Sequence, residues 1–111
     1  MKMNQTLVVT TIAILFAYAG SQARAADADA GKPIYEKNCA GCHGADGKGN
    51  PAVAKTLGEK GLNIVGKETI QKSDEALLKI IAEGAGKMPA SKKLSVDDQK
   101  LVLRYSRSLA K

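Results

Sequence analysis

Two cysteines separated by two residues and followed at once by a histidine, Cys39-Ala40-Gly41-Cys42-His43, constrain this chain more than any other stretch. Each thiol can form a thioether with one vinyl group of a haem, and the adjacent histidine then lies beneath the iron, placed to bind it axially. Ala40 and Gly41 are small, which lets the backbone turn close to a porphyrin face. Three other chemistries use such a cysteine pair: a redox dithiol, part of a zinc site, or a local disulfide. Zinc takes four ligands, and with two cysteines and a single histidine a carboxylate would have to complete the set. A redox dithiol belongs among alternating strands and helices, a pattern this chain lacks. A disulfide here would close almost no loop and add little stability. The pentapeptide therefore predicts one covalently bound haem c, with Cys39 and Cys42 as its thioethers and His43 on the iron.

The chain has 111 residues, the length of one domain. Residues 1–25 read as a secretory signal peptide: Lys2 gives a positive start, Leu7 to Ala19 is apolar apart from two threonines, and Ala23-Arg24-Ala25 offers small residues for cleavage. The 13 residues from Leu7 to Ala19 fall short of the roughly 20 that span a bilayer, which argues against a retained anchor. The expected organisation is a removed leader, 1–25, and one domain, 26–111. The mature product is then periplasmic or otherwise secreted, without a membrane anchor. Loss of Lys2 and Arg24 leaves 15 basic and 11 acidic side chains, a net +4. That is too little to argue for nucleic acid.

Core size adds a second constraint. Phe16 and Tyr18 leave with the leader, so residues 26–111 contain no Phe, no Trp and only Tyr35 and Tyr105. A domain this small struggles to build a sufficient interior, and this one lacks the side chains that contribute most apolar area. A buried porphyrin supplies that surface, making the cofactor a structural element as well as a redox centre.

Helical signals run the length of the domain. Asp29 is a candidate N-cap after a polar lead-in at 26–30, and Pro33 suits a first helical turn. Gly31 and Tyr35 share a face, and a glycine inside a helix marks a close crossing with another helix. Gly44 to Gly49 is turn chemistry. Pro51 either offers its carbonyl to the second ring nitrogen of His43 or is a simple loop proline. Val53, Ala54 and Leu57 suit a short helical turn, and Leu62, Ile64 and Val65 an irregular apolar loop along one haem edge. Ser73-Asp74-Glu75 opens a helix whose broad apolar face is Leu77, Leu78, Ile80 and Ile81, ending at Gly84. Ser95 opens the last helix, with Asp98 in capping-box position and Val102, Tyr105 and Leu109 as its stripe. No stretch alternates as a strand does, so the fold class is all-α.

His43 is the only histidine, so a second imidazole from the same chain is impossible. With Met1 and Met3 in the leader, Met88 is the remaining methionine, 45 residues beyond His43. A methionine in a core is ordinarily a gap filler. Met88 instead stands on a loop, after Gly84 and Gly86 and before Pro89, which favours it as the sixth ligand of the iron.

With Cys39-x-x-Cys42-His43 near its start and Met88-Pro89 near its end, the whole of residues 26–111 resembles a small class I cytochrome c of bacterial type. The resemblance implies three main helices packed around one covalently bound haem, with irregular loops between. It implies that Gly31 and Tyr35 cross the last helix near Leu101, Val102 and Tyr105. It also implies an electron carrier rather than an enzyme, a monomer working between larger redox partners. Two alternatives are a haem-bearing subunit fixed in a larger oxidoreductase and a gas- or peroxide-binding protein with an open sixth position. Lys48, Lys55, Lys60, Lys87, Lys92 and Lys93 are expected in loops rimming the haem, where they either steer docking to an acidic partner or simply solubilise the surface. Some family members hold a haem propionate through Trp or Tyr. No such residue is available here outside the terminal helices, leaving lysines, Asn63 or backbone N–H groups.

Overall fold

The computed structural model describes residues 26–110. The predicted leader, 1–25, lies outside the described residues. Among those described there are six helices and no strand: α1 at residues 26–38, α2 Ala40–His43, α3 Pro51–Leu57, α4 Lys67–Ile70, α5 Asp74–Glu83 and α6 Val96–Leu109. The all-α expectation holds, and the three longest helices are the three anticipated.

The sequence placed the start of α1 too late. Residues 26–30 are already helical, so Asp29 is not an N-cap and Pro33 lies well inside the helix. Ala-Asp-Ala-Asp-Ala carries three of the best helix-forming residues. Asp27 also gains a partner that only tertiary structure provides, an ion pair with Arg104 of α6. Pro33 withholds one N–H from the helical ladder, which this tie helps offset.

The other long helices start where their serines indicate. The Ser73 hydroxyl accepts from the Ala76 N–H at 3.1 Å, and the Ser95 hydroxyl from the Asp98 N–H at 3.1 Å. Each cap satisfies one of the donors that a helix start leaves open. Asp74 and Glu75, and Asp97 and Asp98, add negative charge at the positive ends of the two helix dipoles. The short α4 was not anticipated: Lys-Glu-Thr-Ile is too brief to show a period, and α4 has no side-chain cap.

Helix α1 crosses α6 at the residues the resemblance implied. A Cβ on Gly31 would drive into the Leu101 carbonyl oxygen and come within 2.9 Å of the Tyr105 Cβ. The absence of a side chain is what lets the two backbones meet. One turn on, the rings of Tyr35 and Tyr105 pack with centroids 5.2 Å apart and planes tilted by 57°, a favourable aromatic geometry. Helix α5 packs on α6, and Arg107 braces this side by donating to Asp74 at 2.7 Å and to the Lys72 carbonyl at 2.7 Å.

The polypeptide interior is small. Among the described residues only Tyr35, Leu77, Val102 and Leu103 are buried hydrophobics. Ile34, Leu62, Ile64, Val65, Leu78, Ile80 and Ile81 are only partly covered.

Candidate haem site

The five-residue motif folds as a single helical turn continuing from α1. The Cys39 N–H bonds to the Tyr35 carbonyl at 2.8 Å, and the Cys39 carbonyl accepts from the Cys42 and His43 N–H groups at 3.2 and 3.0 Å. Cys39 and Cys42 are thus three residues apart and His43 four from Cys39, a spacing that puts all three on neighbouring positions of one helix face. No disulfide joins the two thiols. Cys39 is half-buried and Cys42 exposed, and burial, followed by the neighbouring Cys42, pushes the Cys39 thiol above its ordinary pKa. Among the described residues no carboxylate joins cysteine and histidine in a group able to hold a metal ion, so the zinc alternative lacks its fourth ligand.

His43 is oriented by a bond the sequence did not identify. Its Nδ1 lies 2.8 Å from the Leu62 carbonyl oxygen. A carbonyl only accepts, so Nδ1 carries a proton, and in the neutral ring Nε2 keeps its lone pair. That is the tautomer a metal-binding imidazole needs, with the other nitrogen donating to an orienting acceptor. Pro51 does not serve this purpose. It is the first residue of α3, where its missing N–H costs nothing, and Asn50 caps that helix by accepting from the Ala52 N–H at 3.0 Å. Leu62 could not have been found from spacing, because an irregular loop announces its carbonyl directions by no periodicity.

Tyr35 ties this turn to the helix crossing. Its hydroxyl donates to the Gly44 carbonyl at 2.7 Å, and its ring is fully buried. Burial pushes the Tyr35 hydroxyl well above the ordinary tyrosine pKa, with smaller contributions from Cys39, Tyr105 and Asp46.

Met88 sits on a tight loop after α5. Backbone bonds between Ala85 and Met88, at 3.1 and 2.9 Å, close a hairpin-like turn. Gly84, at φ +78°, lets the chain fold back over itself: a Cβ there would meet the Met88 carbonyl oxygen, and the Ala90 nitrogen at 2.9 Å. The Lys87 ammonium donates to the Leu57 carbonyl at 2.8 Å, joining the Met88 loop to the end of α3. Met88 is half-buried. Of the anticipated lysines, Lys55 lies within α3 rather than in a loop; all six are exposed. Asn63 spends its side-chain oxygen on the Val65 N–H at 3.0 Å.

A cavity of about 200 Å³ opens between α4, α5 and α6, lined by Ile64, Thr69, Ile70, Leu77, Leu103, Ser106, Arg107 and Ala110. None of Cys39, Cys42, His43 or Met88 is in that lining. The donor chemistry, rather than this cavity, defines the haem site: two unpaired thiols and an imidazole with Nε2 free, on one turn beside a small apolar interior. A porphyrin fits these residues.

Comparison with known proteins agrees. The family described as cytochrome C oxidase, cbb3-type, subunit III matches residues 26–105. Cytochrome c6 of Leptolyngbya boryana is 43% identical over 74 residues, covering 67% of this chain and 81% of that protein. Cytochrome c-553 of Nitratidesulfovibrio vulgaris is 36% identical over 104 residues, covering 94% of this chain and 86% of that one. The cbb3-type cytochrome c oxidase subunit FixP of a Bradyrhizobium species is 44% identical over 66 residues, 58% of this chain but only 21% of that subunit. No solved structure matches. The chain belongs to the cytochrome c family. It carries a covalently bound haem c and transfers electrons rather than catalysing a reaction.

Proposed function

We propose that this protein is a freely diffusing one-electron carrier. In it Cys39 and Cys42 hold the haem through thioethers, and His43 and Met88 are the two axial ligands of its iron. The observation that carries the reading is the Leu62 carbonyl at 2.8 Å from His43 Nδ1, which leaves Nε2 for iron beside both cysteines. The haem supplies the one-electron couple. His43 and Met88 would hold the iron and leave no place on it for exogenous ligands, and the Met88 thioether would raise the potential. With the haem bound, this chain's residues would fix the cofactor and limit solvent around it.

A free carrier is favoured over a fixed subunit by how fully the relatives are covered. The c6 and c-553 relatives are matched over most of their chains, FixP over 21% of its own. Residues 1–25 are a leader removed on export and 26–111 the mature domain, which works outside the cytoplasm as a monomer. The family match begins at residue 26, and among the described residues no helix is long and apolar enough to cross a membrane. Larger redox proteins are the partners, and exposed lysines, including Lys48, Lys60, Lys92 and Lys93, steer docking to acidic surfaces. Electron-transfer rates with an acidic partner then fall as salt rises; a flat response removes the steering.

Met88→Ala tests the ligand set. The variant is expected to keep its haem covalently attached, lose the weak near-infrared charge-transfer band, show a lower potential and bind added imidazole. An unchanged spectrum would falsify the assignment of Met88.

A further inference from the structure

We infer that Asn50 is a positioning residue of the haem-attachment turn: one side-chain amide fastens the turn that carries Cys42 and His43 to the start of α3. The inference rests on haem attachment at Cys39 and Cys42.

A helix of four residues cannot hold itself together, because each isolated turn fixes several dihedrals for a single bond. Only two carbonyls of the attachment turn are used locally: that of Cys39, and that of Ala40, which accepts from the Gly44 N–H at 2.8 Å. The next three point beyond the turn and need outside donors. Residues 49 and 50 supply all of them. The Gly49 N–H donates to the His43 carbonyl at 2.7 Å and the Asn50 N–H to the Cys42 carbonyl at 2.9 Å. The Asn50 side-chain Nδ2 donates to the Gly41 carbonyl at 2.9 Å. The chain turns back through residues 44–49 to deliver these three donors in order.

The other end of the same amide is also committed. Its Oδ1 accepts from the Ala52 N–H at 3.0 Å and so caps α3. The two partners fix the amide's orientation, since an N–H requires the oxygen and a carbonyl requires the NH2. Ser, Thr and Asp cap helices about as well as Asn. Asp has no proton to donate to Gly41, and Ser or Thr would have to serve both partners from a single oxygen that stops a bond short of the amide's two ends. The residue identity is therefore explained by the bond to the haem-attachment turn, and the cap alone does not explain it. With the Leu62 carbonyl holding the ring and Asn50 holding the backbone, the His43 imidazole is fixed in both position and rotation.

Asn50→Asp retains the α3 cap and removes the donor to Gly41, and Asn50→Ser retains the cap while its one hydroxyl sits a bond short of the amide nitrogen's place, so the two variants separate the roles. The test uses the mature holoprotein, with mass spectrometry first verifying haem on residues 39–43. A neutral hydrogen bond of ordinary strength corresponds to about a fivefold change in an opening equilibrium. In both variants the amides of His43 and Gly44 are expected to exchange with solvent about fivefold faster, while Ala54 of α3 keeps its protection. The reduction potential and the paramagnetically shifted haem methyl resonances, which follow the orientation of the axial imidazole, are expected to move as well. Wild-type values for exchange, potential and methyl shifts in both variants would overturn the inference and leave Asn50 a helix cap. Haem missing from the wild-type peptide would instead defeat the attachment reading beneath it. Should neither variant mature, the wild-type holoprotein decides by NMR: slowed exchange of one Asn50 side-chain proton, with a coupling to the Gly41 carbonyl, supports the fastening, and rapid exchange of both overturns it.

Discussion

Replacing Gly31 with alanine should weaken the domain where its two ends meet. The added methyl would press on the Leu101 carbonyl oxygen, 2.7 Å from that residue's carbonyl carbon and 2.9 Å from the Tyr105 Cβ. Comfortable carbon contacts begin near 3.5 Å, so α1 and α6 must part by roughly half an ångström or more. The obstacle is mostly backbone and cannot rotate aside, which puts the overpacking cost at the upper end of its usual range, about 3 kcal/mol. Alanine returns up to about 1 kcal/mol through its better helix propensity. The net loss is about 2 kcal/mol, or roughly 10 °C in melting temperature for a domain of this size. Lys37→Ala is the internal control, because Lys37 is an exposed residue of the same helix. It should be neutral or slightly stabilising. Thermal melts of the two holoproteins followed by circular dichroism decide the matter. A Gly31→Ala variant as stable as wild type would mean that the helices do not meet at this residue.

Other consequences can be measured directly. Because burial raises the Tyr35 pKa above its unfolded value near 10.0, Tyr35 contributes stability that is intact below that pH and declines as pH rises toward the folded value. Tyr35→Phe should flatten this alkaline decline in denaturant titrations and, by removing one of the two donors to the Gly44 carbonyl (the Gly47 N–H at 3.2 Å remains), cost about 1 kcal/mol at neutral pH. An equally steep alkaline decline in the variant would show that another group is responsible. Gly84→Ala combines a strained positive φ with contact against the Met88 carbonyl and the Ala90 nitrogen, so it should loosen the Met88 loop. Imidazole titration should then show tighter binding to the oxidised haem than in wild type, and equal affinity would count against the loop's role.

How much the sequence reveals depends on the range of the forces involved. Ser73 and Ser95 announce their helices because a cap acts over three residues, and both bonds are where the residues place them. Gly31, Tyr35 and Tyr105 were legible through family resemblance, since nothing local says which helix a glycine meets. The start of α1 was misplaced because Asp27 is read correctly only once Arg104 is beside it, 77 residues away. At the site, the thiols and the imidazole follow from a five-residue pattern, whereas the acceptor for His43 does not. Leu62 acts through its backbone, and any residue there would offer the same oxygen. Pro51 was a reasonable candidate by proximity, but its place at the head of α3 commits it elsewhere.

The bond from the Tyr35 hydroxyl to Gly44 bears on the order of assembly. Tyr35 belongs at once to the meeting of the chain's two ends and to the turn that leaves the cofactor peptide. A chain made from its amino end presents Cys39 to His43 long before Leu101 to Tyr105 has been synthesised, and pairing such distant segments carries a loop-closure cost. Docking of the final helix shuts Tyr35 in, so the last segment to be made holds the turn that follows the two cysteines.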